Sequence, residues 1–206
     1  DGYIANGSQL FKIPSVKDLP SITPPVAQAN DLEYQPYRRN PETVVRQWAL
    51  PGTPGLLHRV GGLEKTDGKG SVSTDGLNHE KMVYYRNQKV QKVADFIPKQ
   101  ETEGDDAGDL LLVSWGGTYG FVHAAAEVMR EQGVKTGHAH FKHIMPLPKN
   151  TAEIFGKYKR IVVCELNNGQ FVNYLRATYP QFTYGQINKV QGQPFLVEEI
   201  VEKLNK

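Results

Sequence analysis

Apolar and polar positions are distributed differently in the two halves of this chain. Leu110-Leu111-Leu112-Val113 is a continuous apolar run, the pattern of a strand buried on both faces. Val122, Ala125, Ala126 and Met129 then recur at i, i+3, i+4 and i+7, which predicts a helix closed by Gly133. A strand is expected over about 137–144 and a short helix near 151–158, followed by a second buried run, Ile161-Val162-Val163-Cys164-Glu165-Leu166. Phe171, Tyr174, Leu175 and Thr178 share a helical face, a strand is expected near 185–190, and Val197, Ile200, Val201 and Leu204 mark a last helix. Strands and helices thus alternate four times, which predicts βαβ units around a parallel sheet.

The first half has no such rhythm. Pro14, Pro20, Pro24, Pro25, Pro36, Pro41, Pro51 and Pro54 fix φ and remove backbone donors, so neither a long helix nor a central strand runs through them. Residues 46–50 fit a short strand at most. Tyr34, Tyr37 and Trp48 are out of place in a disordered linker, so an ordered extended segment lying on another surface is expected. The first helix is predicted at about 78–96, with Met82, Val83, Val90, Val93, Ala94 and Ile97 as its apolar stripe and Pro98 as its stop. Residues 100–109 are acidic and contain no apolar side chain larger than Ala107, which reads as a linker or domain boundary.

At 206 residues the chain is long enough for one good-sized domain plus extra structure, or two small ones. The net charge of +2 argues against nucleic acid as the main partner. No apolar run is long enough for a membrane span. One cysteine, Cys164, leaves no internal disulfide and no cysteine-rich metal or cluster site, and fits a cytoplasmic setting.

Two strand-to-helix turns are candidate ligand sites, Gly116-Gly117-Thr118 and Asn167-Asn168-Gly169. Both fall at carboxyl ends of strands, where open α/β sheets bind ligands and helix N-termini offer N–H groups to anions. Neither carries a nucleotide-binding fingerprint, and a tight turn needing glycine at positive φ, followed by a helix cap, is the reading expected ahead of a ligand site. His138, His140 and His143 invite a metal reading. His138 and His140 would share a strand face while His143 points away, and no carboxylate follows nearby, so packing or surface roles are expected instead. Glu165, at a strand end, is expected to cap the next helix or pair with Arg176 rather than act as an acid or base. Cys164 reads as an inert core thiol. Residues 50–67 mix Thr53, His58 and Arg59 with glycines. Arg59 there suits either recognition of a carboxylate or phosphate, or a tie to a neighbouring subunit.

Several runs, taken together, resemble a known family. They are Trp48-Ala49-Leu50-Pro51-Gly52-Thr53-Pro54-Gly55, His58-Arg59-Val60-Gly61-Gly62-Leu63-Glu64-Lys65 and Asn78-His79-Glu80-Lys81-Met82. Val113-Ser114-Trp115-Gly116-Gly117-Thr118, Pro146-Leu147-Pro148, Glu165-Leu166-Asn167-Asn168-Gly169-Gln170 and Lys189-Val190 before Gly192 follow in order. The set is similar to the α subunit of 2-oxoacid:ferredoxin oxidoreductases, of the 2-oxoglutarate branch, across essentially the whole chain.

The resemblance implies a parent enzyme that decarboxylates a 2-oxoacid on thiamine diphosphate, passes the acyl group to coenzyme A and reduces ferredoxin through an iron–sulfur cluster. It implies that residues 1–77 are an extended segment following the end of a pyrimidine-binding domain, where Asp1-Gly2-Tyr3 would fall. Residues 78–100 would be a connecting helix, and residues 107–206 an α/β domain like the transketolase C-terminal domain. The chain is then expected to be a C-terminal fragment, inactive alone, with a β subunit and a second α subunit as partners. No GDG…N signature for thiamine diphosphate and magnesium is present, and one cysteine excludes a cluster here, so no catalytic residue carries over. Thr53, His58, Arg59, Gly116, Gly117, Thr118, Asn168 and Gly169 remain candidate ligand contacts. The alternatives are a stand-alone α/β module binding a phosphorylated or coenzyme A-like ligand, and a hydrolase or transferase, for which no nucleophile motif is present.

Overall fold

The computed structural model describes residues 13–206; the opening Asp1-Gly2-Tyr3 run lies outside the described residues. The chain divides into two units, residues 13–96 and Ile97–Lys206.

In the first unit the backbone is largely irregular. It is tied by isolated bridges, Val26 with Trp48, Arg39 with Arg46, Tyr37 with Gly68 and Lys65 with Val72. The short strand expected over 46–50 does not form. Arg46 and Trp48 each make a single bridge, to different partners, because Val44 turns the chain at φ 59° just before them and Pro51 follows. Helix α1, Gly76–Lys92, is capped by the Asp75 carboxylate, which accepts from Leu77 N, and runs on into a 3₁₀ turn, Val93–Asp95. Its apolar stripe is not a buried face. Met82 is buried, but Val83, Val90 and Val93 are each more than 40% exposed. The face turned inward is instead Asn78, Met82 and Tyr85, at i, i+4 and i+7. Asn78 donates to Lys65 O and accepts from Asp67 N, so the helix grips the extended segment by its backbone.

The second unit is α/β. Its elements are β1 (Glu103–Gly104), β2 (Gly108–Trp115), α2 (Tyr119–Glu131), β3 (Thr136–Phe141), α3 (Thr151–Phe155), β4 (Tyr158–Glu165), α4 (Gln170–Thr178), β5 (Tyr184–Asn188) and α5 (Val197–Leu204). The sheet order is β1-β3-β2-β4-β5. The mostly parallel sheet expected from the alternation is present: β3, β2, β4 and β5 are parallel neighbours, and β1 joins the edge antiparallel to β3. Residues 100–109 are therefore not a plain linker. Their acidic residues conceal a two-residue edge strand, and short charged edge strands carry no apolar signal to read.

The apolar runs are buried on both sides. Leu111, Val113, Ile161 and Val163 meet Phe155 of α3 and Phe171 and Leu175 of α4 on one face. Leu110, Leu112 and Val162 meet Val122, Ala126 and Met129 of α2 and Ile200 and Leu204 of α5 on the other. Each such side chain contributes about 1.5–3 kcal/mol through burial, and this frame holds the strand ends in place. Cys164 sits in the second cluster, and burial, reinforced by the neighbouring Glu165 charge, pushes its thiol up to about 12. It is a core residue, as its place in the apolar run implies.

Candidate functional site

Strands β2 and β4 lie side by side at the centre of the sheet, but the chain leaves them in opposite directions, from β2 to β3 and from β4 to β5. Helices α2 and α4 accordingly cover opposite faces. The carboxyl ends of β2 and β4 form the topological switch point, where α/β sheets hold ligands. Trp115 and Glu165 end these two strands, and Trp115 Nε1 donates to Glu165 Oε2 at 3.3 Å.

Glu165 is fully buried and accepts from Phe171 N at 2.8 Å and Val172 N at 2.9 Å, the unpaired donors of the first turn of α4. Its expected capping role is present. Arg176, the alternative partner, instead bonds Asn173, Gln186 and the Tyr184 carbonyl.

The turns on either side are built for geometry. Gly116 has φ 62° and Gly169 has φ 90°, and a Cβ on Gly169 would come within 3.1 Å of Val172 Cγ1. The Thr118 hydroxyl donates to Trp115 O at 2.7 Å and accepts from Trp115 N, so it is used within its own turn. Asn167 Oδ1 accepts from Gly169 N and Gln170 N, while Asn168 and part of the Gly116-Gly117 backbone reach the surface.

A second constellation lies at the same end of the sheet, over β2 and β3. Ser114 Oγ is 2.7 Å from both His138 Nε2 and His140 Nδ1. His138 and His140 do share one strand face. His143 is not among these residues, whereas His123 of α2 and Glu103 of β1 are. His123 Nδ1 is 2.8 Å from Glu103 Oε2, and His138 Nδ1 is 4.0 Å from the same oxygen. Tyr119 stacks on His123 and donates its hydroxyl to Glu103 at about 3.0 Å. Burial, helped by repulsion from the neighbouring histidines, lowers His138 to about 3. Burial and the Lys142 charge lower His140 to about 4. Both rings are therefore neutral near pH 7.

The sequence reading missed Glu103 and His123 because nothing local links them to the HxH run. Glu103 pairs directly across the ladder with His138, a partnership visible only once the edge strand is known.

In the first unit, the Thr53 hydroxyl is spent on Leu50 O, His58 Nδ1 lies 2.9 Å from Leu56 O, and Arg59 is exposed. These three residues share one loop without converging on each other. Leu57 and Val60, on either side of Arg59, are 100% and 81% exposed.

The second unit is thus a doubly wound α/β domain with a glycine-lined switch point. Residues 108–200 match the family described as pyruvate:ferredoxin oxidoreductase core domain II. Over 202 residues the chain is 42% identical to the 2-oxoglutarate oxidoreductase subunit KorA of Mycobacterium tuberculosis, covering 97% of this chain and 30% of that protein. It is 28% identical over 146 residues to the α subunit of 2-oxoacid:ferredoxin oxidoreductase 2 of Aeropyrum pernix, covering 68% of this chain and 23% of that one. A solved 2-oxoglutarate:ferredoxin oxidoreductase from Magnetococcus marinus, with 2-oxoglutarate, coenzyme A and succinyl-CoA bound, superposes with a TM-score of 0.79 at 28% identity. That match covers 93% of this chain and 33% of the other. The chain is similar to α subunits of 2-oxoacid:ferredoxin oxidoreductases, the family its motifs resemble, and it spans about a third or less of the length of these relatives.

Proposed function

We propose that the chain is a C-terminal part of the α subunit of a 2-oxoglutarate:ferredoxin oxidoreductase, where it serves as scaffold and subunit interface. The assembly converts a 2-oxoacid, coenzyme A and oxidised ferredoxin to acyl-CoA, carbon dioxide and reduced ferredoxin. The observation that carries the interface role is the apolar surface of residues 13–96. Ile13, Ile22, Leu32, Leu57, Val60 and Phe96 are each at least 80% exposed. Among the described residues of the second unit, the exposed large apolar side chains are Met145, Val190 and Leu196. Surface of that kind marks a protein partner, here the β subunit and a second α subunit.

The residues of this chain do not fit the cofactors of such an enzyme. An iron–sulfur cluster takes several thiolates, and the sequence holds one cysteine, which is sealed in the sheet. At the switch point the carboxylate of Glu165 is committed to Trp115 and the first turn of α4. Thiamine diphosphate, magnesium and the cluster are therefore assigned to other parts of the assembly, and the chain alone is inactive. Within this reading Arg59, with Thr53 and His58 shaping its loop, faces an anionic group of a partner or ligand. Gly116, Gly117, Thr118, Asn168 and Gly169 form the rim of the switch point.

The test is viologen-dye reduction by the assembled, cofactor-loaded complex containing this sequence, given coenzyme A and either 2-oxoglutarate or pyruvate. Coenzyme A-dependent reduction favouring 2-oxoglutarate is expected. No reduction with either acid overturns the assignment.

A further inference from the structure

We infer that Glu103, His123 and His138 form a binding site for one divalent transition metal ion of the zinc class. Nothing in the proposed oxidoreductase role requires it. The three residues reach one point from three elements, β1, α2 and β3, and each offers a donor atom within 4.8 Å of the others. Two imidazole nitrogens and a carboxylate oxygen are a donor set that zinc takes, with a fourth position left for water.

The independent observation is a pair of sealed nitrogens without aligned partners. Nδ1 of His138, on a side chain buried to all but 1% of its residue surface, makes no hydrogen bond, and neither does the solvent-sealed Nδ1 of His123. His123 Nδ1 does approach Glu103 Oε2 to 2.8 Å, but that approach is not aligned as a hydrogen bond. Orphaned buried polar atoms cost about 1–3 kcal/mol each, so two of them aimed at one carboxylate call for an occupant. A cation between them satisfies all three groups together.

The surroundings support the same reading. Ser114 Oγ has a single proton to share between His138 Nε2 and His140 Nδ1. When His138 Nε2–H donates to Ser114 Oγ and the Ser114 hydroxyl donates on to His140 Nδ1, the lone pair of His138 Nδ1 is left facing Glu103. This is the outer hydrogen bond that orients a metal-ligating histidine. The Tyr119 hydroxyl plays the matching part for Glu103. Donors on one zinc lie roughly 3.4 Å apart, given bonds of about 2.0–2.1 Å, so the 4.0 Å between Glu103 Oε2 and His138 Nδ1 must close and the 2.8 Å between Glu103 Oε2 and His123 Nδ1 must open, both by a small movement of the carboxylate. Glu103 can supply it, since its side chain is 47% exposed on a two-residue edge strand. The same exposure gives an ion its way in.

The test uses the metal-free full 206-residue chain titrated with Zn2+ by calorimetry and with Co2+ by visible absorption. One Zn2+ per chain is expected, with Co2+ bands of a four-coordinate site. Glu103→Gln and His123→Ala should each weaken binding at least tenfold while circular dichroism stays unchanged. Tyr119→Phe, which removes only the orienting hydroxyl, should weaken it by about 10-fold. Unchanged affinity in Glu103→Gln and His123→Ala places the metal on other histidines and overturns the inference, as does the absence of binding to the wild-type chain.

Discussion

The two units of this chain are stabilised by different physics. In Ile97–Lys206, Leu111, Leu112, Val113 and Val163 have at most 0% of their surface exposed, and helices cover both faces of the sheet. In residues 13–96 the buried apolar side chains are Ala27, Val44, Leu56 and Met82, and polar ties hold the rest. Asp67 collects several of these, receiving Arg39 at 3.0 Å, Lys81 at 2.7 Å and the Tyr85 hydroxyl at 3.5 Å. Arg39 lies 4.6 Å over the Tyr85 ring, and Arg46 4.4 Å over Tyr37. One unit satisfies its hydrophobic residues internally. The other keeps its shape with charges and presents hydrophobic residues outward, which is what a segment meant to be covered by a partner requires.

The contrast breaks first in the sheet. Leu112→Ala leaves a cavity at a side chain with no exposed surface, between β2 and the helices α2 and α5. It should destabilise the second unit by about 2–5 kcal/mol, read as a lowered midpoint in urea unfolding followed by far-ultraviolet dichroism. A loss below 1 kcal/mol would mean that the sheet core is loosely packed and that the contrast between the units is wrong.

Legibility follows the same division. Buried strands and amphipathic helices announce themselves by periodicity, so the runs at 110–113 and 161–164 and the stripe of α2 could be read directly. The Glu165 cap was legible too, since a carboxylate between a strand and a helix has few other uses. The stripe assigned to α1 failed because its inward face contains Asn78 and Tyr85, chosen for what they bond rather than for hydrophobicity. β1 failed because a glutamate and a glycine at a sheet edge carry no pattern at all. The histidine constellation needed β1, and so its carboxylate could not be found from spacing. Gly169 was legible as a turn glycine, but its left-handed φ accounts for it without a ligand.

A smaller effect is expected at Asp67. Burial alone would raise its pKa, but the Lys81 hydrogen bond and the charges of Lys81 and Arg39 outweigh burial and hold it below the usual 3.8. A carboxylate depressed on folding contributes stability above its unfolded pKa and loses it as pH falls through the folded value. The contribution of Asp67 is therefore full near neutral pH and fades below about pH 4. Solvent reaches the cluster, so Asp67→Asn should cost no more than about 1 kcal/mol at pH 7. The difference between variant and wild type should shrink in unfolding curves taken at pH 3. A gap that stays constant with pH would show that Asp67 acts through packing and not through charge.

The smallest change in stability is expected at Leu57, and it sharpens the comparison most. Its side chain is 100% exposed beside Arg59, and Val60 and Leu63 are 81% and 69% exposed. Leu57→Ser removes no internal contact of consequence, so the unfolding free energy of the chain should move by less than about 0.5 kcal/mol. An interface position behaves differently in the assembly, because a leucine buried there by a partner contributes about 1.5–3 kcal/mol. That corresponds to roughly a 10- to 150-fold weakening of association with the β subunit, measurable by sedimentation of the co-expressed subunits. A leucine that is merely tolerated on the surface would leave both quantities unchanged, and the apolar face of the first unit would then lose its meaning as an interface. Unchanged stability together with weakened assembly separates the two roles cleanly, since no defect internal to the chain produces both.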